Sequence, residues 1–495
     1  MRRIARLLGV GLVVLAPWAV SAQAQTRSCP PGFNDTPAMP VHFDQASVLR
    51  MSLGQIFATG QRIFVTNFNA CDGAGRPGTT GTGVPRTLDP VLGPRFTRVS
   101  APESNSCAGC HNQPQPGGAG DFVANVFVLA QAADPVSKII LNDDFSNTWL
   151  ERNTLGMFGS GAIEMLGREM TTDLQSESQS AIARAQSSGH NVTLALVSKQ
   201  VSFGKLTAHP DGSVDTSTVA GVDADLIVKP FSRKGVFRSL REFTVTAMNQ
   251  HHGMQAQERF GFGTDPDQDG VTDELTIGDI TAVTLFQAAL PVPQVATTGF
   301  EGRVVAHGSD LFNQIGCASC HIPSLTLNNS KFCDPDPMNL PNTFNDTSQS
   351  YCFDLHQIGL NGNAVVAYTD LKRHVICDNK KPHYCNEPVS PVQASDSNFA
   401  IPHDQFLTAK LWNAGNSSPY GHRGDLDTVF EAIINHGGEA TSVESQFEAL
   451  PDSDQAAIVS FIHTLDMPIL PSQQDQNVNM GNSPPAKDQT FGDER

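Results

Sequence analysis

The sequence predicts a mainly α protein built from two similar helical domains, with irregular and some β insertions. Three observations carry that expectation. The pentapeptide Cys107-Ala108-Gly109-Cys110-His111 returns as Cys317-Ala318-Ser319-Cys320-His321, 210 residues later. Apolar residues at helical spacing flank each copy. Long stretches rich in Gly, Pro, Asn and Asp separate them, and these residues favour turns over regular structure. Cys-x-x-Cys-His is the attachment pattern of c-type haem, in which two thiols add to the vinyl groups of one porphyrin and the adjacent imidazole reaches the iron. Two copies predict two covalently bound haem c groups in two cytochrome-c-like haem domains, with His111 and His321 as proximal ligands. A redox-active thiol pair or half of a zinc site is the competing reading, but zinc needs two Cys/His pairs close together.

Residues 1–24 read as a secretory signal, with Arg2, Arg3 and Arg6, an apolar run, and Ala22-Gln23-Ala24 as a small-residue cleavage site. That run is too short to span a bilayer comfortably, and charge, Gly or Pro breaks every later apolar segment. The mature chain is therefore expected to be periplasmic or secreted, with no membrane span, which agrees with haem attachment outside the cytoplasm. The N-terminal haem domain occupies residues 25–290 and includes a helix over 47–64, marked by Val48, Leu49, Leu53, Ile56, Phe57, Ile63 and Phe64. Residues 72–94 read as loop, and alternation within 190–230 predicts strands. Residues 291–295, Pro-Val-Pro-Gln-Val, form an expected hinge. The C-terminal haem domain occupies 300–468, with a helix over 307–315 leading into its motif. A Cys-rich insertion follows at 330–400, then a closing helix pair over 426–435 and 455–465. Residues 469–495 have the composition of a disordered tail.

The chain carries 32 basic and 50 acidic residues. Removing residues 1–24, which hold three Arg and no acid, leaves 29 − 50 = −21. Such a surface argues against nucleic acid and anionic membranes as partners and suits a basic electron-donor protein. Of ten cysteines, the motifs use four, leaving Cys29, Cys71, Cys333, Cys352, Cys377 and Cys385. An even remainder in an exported chain predicts three disulfides among fifteen possible pairings. Proximity favours Cys29–Cys71, Cys333–Cys352 and Cys377–Cys385.

A different metal pattern lies at 265–276. Asp265, Asp267 and Asp269 stand at positions one, three and five of a calcium-type loop, with Gly270 at six and the Val271 carbonyl next. Thr276 holds the twelfth position in place of the EF-hand Glu, so Asp273 or Glu274 would complete the shell. One Ca²⁺ is expected here, against the alternative of a solvated acidic turn.

Leu411-Trp412, the run 419–424 (Pro-Tyr-Gly-His-Arg-Gly), the run 426–433 and His436-Gly437-Gly438-Glu439-Ala440 resemble the C-terminal half of bacterial dihaem oxidoreductases. That group holds dihaem cytochrome c peroxidases, MauG-type enzymes and thiol-oxidoreductase-like peroxidases. Residues 106–114 and Arg259-Phe260-Gly261 are most similar to the last of these, and rubber oxygenases are more distant relatives. The resemblance covers most of the mature chain but is weak over 190–230 and 330–400. It implies that His436 is the sixth ligand of the second haem and that Arg423 pairs with a haem propionate. It implies a reactive first haem with an acidic side chain, Glu164 or Glu169, on its distal face. There a carboxylate would move the proton that peroxide cleavage requires. His251 and His252 are further distal candidates, as ligand or pocket residue. Trp149 stands where relatives place an indole between the haems.

The expected activity is peroxidase-like: electrons enter at the second haem, cross to the first and reduce H₂O₂, or support oxidation of another substrate. Two rivals remain open. One is an O₂-using oxygenase of rubber-oxygenase type, which would have an apolar distal face. The other is a non-enzymatic electron-transfer cytochrome with both irons closed.

Overall fold

The computed structural model describes residues 29, 36–75, 88–89, 93–94, 104–120, 123–126, 150–266, 269–293, 301–339, 343–378, 381, 384 and 404–466. The segments 1–24 and 469–495, together with Trp149, Asp267 and Cys385, lie outside the described residues. The described chain is mainly α with several small sheets. No helix among the described residues is long and apolar enough to cross a membrane.

Two helices replace the single one expected over 47–64. They are α1 (Gln45–Val48) and α2 (Leu53–Val65). The Asp44 side chain caps the first, and Ser52 with Gln55 forms a reciprocal capping box on the second. A Ser placed to satisfy free N–H groups starts a new helix even where the apolar periodicity continues. Next come α3 (Ser160–Ser188), α4 (Leu240–Ala247), α5 (Gln257–Phe260) and α6 (Ile277–Ala288). Thr276 and Asp279 cap α6 reciprocally, and its residues from Gly278 to Ala288 are buried, so it runs through the interior. The second half holds α7 (Glu301–Gln314), α8 (Val429–Ile434), α9 (Thr441–Glu448) and α10 (Asp452–His463). The closing pair corresponds to α8 and α10. Between them α9, unanticipated, buries Phe447 and Glu444.

Short antiparallel ribbons pair β1 (Leu88–Asp89) with β2 (Gly93–Pro94), and β3 (Val123–Val126) with β4 (Leu150–Asn153). The strands expected within 190–230 are β5 (Val192–Ser198), β6 (Val201–Ala208) and β7 (Val214–Asp215), in the antiparallel order β5-β6-β7. They cover the distal half of α3, whose Leu174, Ser178, Ala181 and Ala185 are buried at helical spacing. In the second half lie β8 (Leu325–Thr326), β9 (Lys331–Asp334), β10 (Tyr351–Asp354), β11 (Ala364–Val365), β12 (Arg373–Val375) and β13 (Gln405–Leu407). They pair β8 with β11, β9 with β10 and β12 with β13. Cys333–Cys352 bridges β9 and β10, and Cys29–Cys71 ties the N-terminal segment to the turn after α2. Cys377 is also disulfide-bonded.

Three apolar clusters organise the molecule. One joins α2, α4 and α6, and another joins α7, α9 and α10. The third combines α3 and the β5–β6 sheet with Leu325, Phe332, Phe353, Leu371 and Trp412, so a shared core crosses the expected domain boundary. Pro291 to Pro293, the described part of the expected hinge, is anchored: Val292 is buried and its N–H donates to the Ile358 carbonyl at 3.0 Å. Arg241, fully buried, adds a polar tie. Its guanidinium meets Glu258 at 2.6 Å, Asp334 at 2.6 Å and Thr281 at 2.9 Å, joining α4 to α5, α6 and β9.

Candidate functional site

Both pentapeptides fold the same way. A 3₁₀ turn spans Cys107–Gly109 in one and Cys317–Ser319 in the other. The His111 N–H donates to the Cys107 carbonyl at 2.9 Å, and the His321 N–H to the Cys317 carbonyl at 3.0 Å. Each turn therefore brings both thiols and the imidazole to one face. The surroundings repeat as well. His111 Nδ1 lies 3.0 Å from the Leu155 carbonyl and His321 Nδ1 lies 3.0 Å from the Tyr368 carbonyl. Such a bond fixes the tautomer and leaves Nε2 for a metal. Burial pushes both imidazoles down to about 4, so each is neutral at ordinary pH, the form that ligates iron.

The helices behind the motifs match residue for residue. Phe64 sits 6.2 Å from the His111 ring and 5.1 Å from Phe286, while Phe312 sits 6.3 Å from the His321 ring and 5.4 Å from Phe461. Four residues before each first Phe stands a glycine at a helix crossing. A Cβ on Gly60 would lie 2.1 Å from the Ala282 oxygen, and one on Gly308 would lie 2.0 Å from the Ala457 oxygen. Thus α2 crosses α6 as α7 crosses α10. This Gly-x-x-x-Phe repeat was readable in the sequence as a second signal of duplication.

One continuous cavity of about 830 Å³ connects the motifs. Its wall includes Cys107, Cys110 and His111 from the first half, and Cys317, Cys320, His321 and His436 from the second. His436 follows α8, and its ring centre lies 6.4 Å from that of His321. Two imidazoles bound to one metal at about 2 Å per nitrogen hold their ring centres roughly 6 Å apart. His436 Nδ1 faces the Ala432 carbonyl at 2.7 Å, which again leaves Nε2. The residues present fit two haem groups on these grounds, and on the chemistry of the wall: Arg233 and Lys410 face the cavity, and the buried Arg233 Nε has no hydrogen-bond partner.

The competing readings of the thiols fit less well. Burial raises Cys107 to about 12 and Cys317 to about 11, whereas a redox-active pair needs a stabilised thiolate. The four motif cysteines are not bridged. Cys320, Asp370 and His374 do converge, but both His374 nitrogens are engaged, by Asp370 and by Glu439 at 2.8 Å each. Burial opposes protonation of His374, yet its hydrogen bonds to Asp370, Cys320 and Glu439 carry it up to about 10, so it is an imidazolium.

Near the first motif, α4 runs into a π-turn at Met248–His252, a local widening often found at functional sites. It ends at Gly253, φ +73°, where a Cβ would strike the Gly75 oxygen. His251 and Gln250 line the cavity, and His251 is close enough to His111 to act on its protonation. The adjacent His252 also lines the cavity, with Nδ1 2.7 Å from the Ser104 carbonyl and Nε2 3.4 Å from Cys107 Sγ.

The structure does not bring Glu164 and Glu169 to the cavity wall. Glu164, 1 % exposed, accepts from Arg168 Nε at 3.0 Å and from the Leu240 N–H at 2.7 Å, so it anchors the first turn of α4. Burial raises it to about 7, since Arg168 also serves Asp336 and neutralises it only in part. Glu169 binds Lys199 at 2.5 Å and the N–H groups of Asn328 and Asn329 at 3.0 and 2.9 Å. Arg423 points to Asp425 at 3.3 Å and is also off the cavity wall. Trp412, quoted above only within the resemblance, is on that wall. Its indole packs on Gly159, where a Cβ would lie 2.4 Å away, and its Nε1 donates to the Val366 carbonyl at 2.7 Å.

In the calcium-type loop, Gly270 has φ +94°, the sharp turn expected at position six. Asp265 accepts from the N–H groups of Asp269 and Gly270 at 3.1 and 3.0 Å. Asp273 accepts from the Gly263 N–H at 2.8 Å, Glu274 from the Gln255 N–H at 2.6 Å, and Val271 is buried. Among the described residues no three of these carboxylates converge as a ligand set.

No family model matches this chain, and no curated protein matches it. Among solved structures, hydrazine synthase from Kuenenia stuttgartiensis, studied under xenon pressure, aligns with 94% of this chain and 100% of its own at 13% identity. The TM-score is 0.35, and a likeness of that size carries no argument.

Proposed function

We propose that this chain is an exported dihaem c-type oxidoreductase of peroxidase type, with an electron-transfer haem in its second half and a reactive haem in its first. The observation that carries the reading is the duplicated Phe–His–carbonyl setting of two Cys-x-x-Cys-His turns on one cavity. Cys107 and Cys110 would hold one porphyrin and Cys317 and Cys320 the other, with His111 and His321 as proximal ligands. Haem at these positions supplies reversible one-electron chemistry and an iron that takes a small oxidant such as H₂O₂ or O₂.

The residues divide the labour. His321 and His436, held by carbonyls on their Nδ1 atoms, would both ligate the second iron and suit it to electron transfer. Reduction of H₂O₂ to two waters consumes two electrons and two protons. The His251 imidazole, beside Gln250 on the wall near His111, would take and return a proton there. Trp412 and Lys410 lie on the wall between the two motifs. Electrons would come from a small donor protein, for which the acidic surface suits a basic partner. A Ca²⁺ in the 265–274 loop belongs to the same proposal, supported by the Asp spacing and the Gly270 turn.

One observation favours a second reading. Near the first motif the wall carries Phe231, Phe237, Leu240, Phe243 and Met248, while Glu164 and Glu169 are turned away. An apolar distal face suits O₂-dependent oxidation of a hydrophobic substrate. Turnover assays distinguish the two: peroxide consumption with a reduced donor supports the peroxidase, while O₂ uptake dependent on an isoprenoid polymer supports the oxygenase. Mass spectrometry of the purified protein tests both at their root, because each requires two covalently attached haems.

A further inference from the structure

Two cations on the cavity wall lack anionic partners. Arg233 comes from the loop before α4, and Lys410 from the segment after β13. The two loops are joined where the Leu407 N–H donates to the Arg233 carbonyl at 2.8 Å. Neither side chain forms an ion pair among the described residues, and buried Arg233 Nε has no acceptor. Burial lowers Arg233, and burial together with the Arg233 charge lowers Lys410 to about 8. Three enclosed arginines among the described residues are matched by acids: Arg241 has Glu258 and Asp334, Arg168 has Glu164 and Asp336, and Arg373 has Asp223. A charge largely enclosed by protein is unfavourable without a counter-ion, so two neighbouring cations that face the cavity without acids mark the place of an absent anion.

The position identifies the class of anion. Lys410 is close enough to His111 to act on its charge, and the backbone of the preceding Ala409 meets the His321 ring. Residues 409 and 410 thus bear on both proximal histidines. Resting on the dihaem reading, we propose that Arg233 and Lys410 form a two-armed clamp for porphyrin propionates, one arm from each half, with Lys410 holding the porphyrin attached at Cys107 and Cys110. The clamp would tie the first porphyrin, covalently fixed to one half, electrostatically to the other. It would also raise the reduction potential of that haem, because a nearby cation favours the electron-rich state. Arg423, half-buried and turned to Asp425, is not needed for this.

The test is spectroelectrochemical titration of full-length holoprotein carrying Lys410→Met, Arg233→Gln or Arg233→Lys, with attached haems counted by mass spectrometry. Lys410→Met is expected to lower the midpoint of the ligand-accepting haem by at least tenfold in its reduction equilibrium, which is 59 mV for one electron. Arg233→Gln should lower a midpoint similarly, and Arg233→Lys should restore most of it. Two attached haems with both midpoints unchanged in Lys410→Met and Arg233→Gln would overturn the clamp and leave the dihaem reading intact. Absence of haem from the unsubstituted protein would instead overturn the dihaem reading. If Arg233→Gln fails to accumulate, the Lys410→Met and Arg233→Lys titrations decide alone.

Discussion

His111, His321 and His436 each turn Nδ1 to a backbone carbonyl, which leaves Nε2 of each open. The turns that carry the first two were legible because Cys-x-x-Cys-His is a local pattern that closes within five residues. The distal carboxylates were not legible in the same way. Whether Glu164 faces a cavity or an arginine depends on Arg168, Leu240 and Asp336, which only tertiary packing assembles. Two outcomes follow at this scale. With His436 a ligand of the second iron, as proposed, His436→Ala should let the holoprotein bind one more equivalent of cyanide than the unsubstituted protein; an unchanged stoichiometry would remove His436 from the iron. Burial raises the Glu164 carboxyl in the folded state to about 7 from its ordinary 4.5, so folding binds its proton more tightly. Its contribution is fully present below about pH 4.5 and is lost as pH rises through about 7, on the order of 3 kcal/mol at most. Denaturant unfolding at several pH values should show that slope in the native protein and a flatter one in Glu164→Gln.

At the scale of elements, glycine decides how closely the helices cross. In α2 and α7 the backbone of the partner helix occupies the space a side chain would take at Gly60 and Gly308. Gly60→Ala and Gly308→Ala should each destabilise by about 1–3 kcal/mol or more, because the crossing must open. Gly302→Ala, on α7 with nothing within 4 Å, is the control and should be neutral or stabilising by up to about 1 kcal/mol. Thermal unfolding of the three variants checks both signs. The periodicity of apolar residues announced α2, α7, α8 and α10, but the break at Ser52 and the existence of α9 depended on capping and on burial of Phe447. In the loop of 265–274, bound Ca²⁺ would offset the repulsion of its carboxylates. A chelator should then lower the melting temperature of the native protein, and Asp269→Asn should reduce that difference; equal melting with and without chelator would count against calcium.

Across the whole molecule, two equivalent helix crossings are fused by a third core that belongs to both halves. The sequence suggested a hinge where the chain is pinned by Val292 and Ile358, because Pro-rich composition reports local conformation and not what packs over it. The duplication is unequal. The second site sets His436 opposite His321 at 6.4 Å, while the first presents His251 and Gln250 from a π-turn on an apolar wall. EPR of the oxidised and half-reduced holoprotein titrated with cyanide reads that inequality. Two haems per chain are expected, one with a bis-histidine signal that cyanide leaves unchanged and one that converts on binding it. Two irons that both resist cyanide in every oxidation state, or fewer than two haems per chain, would contradict it.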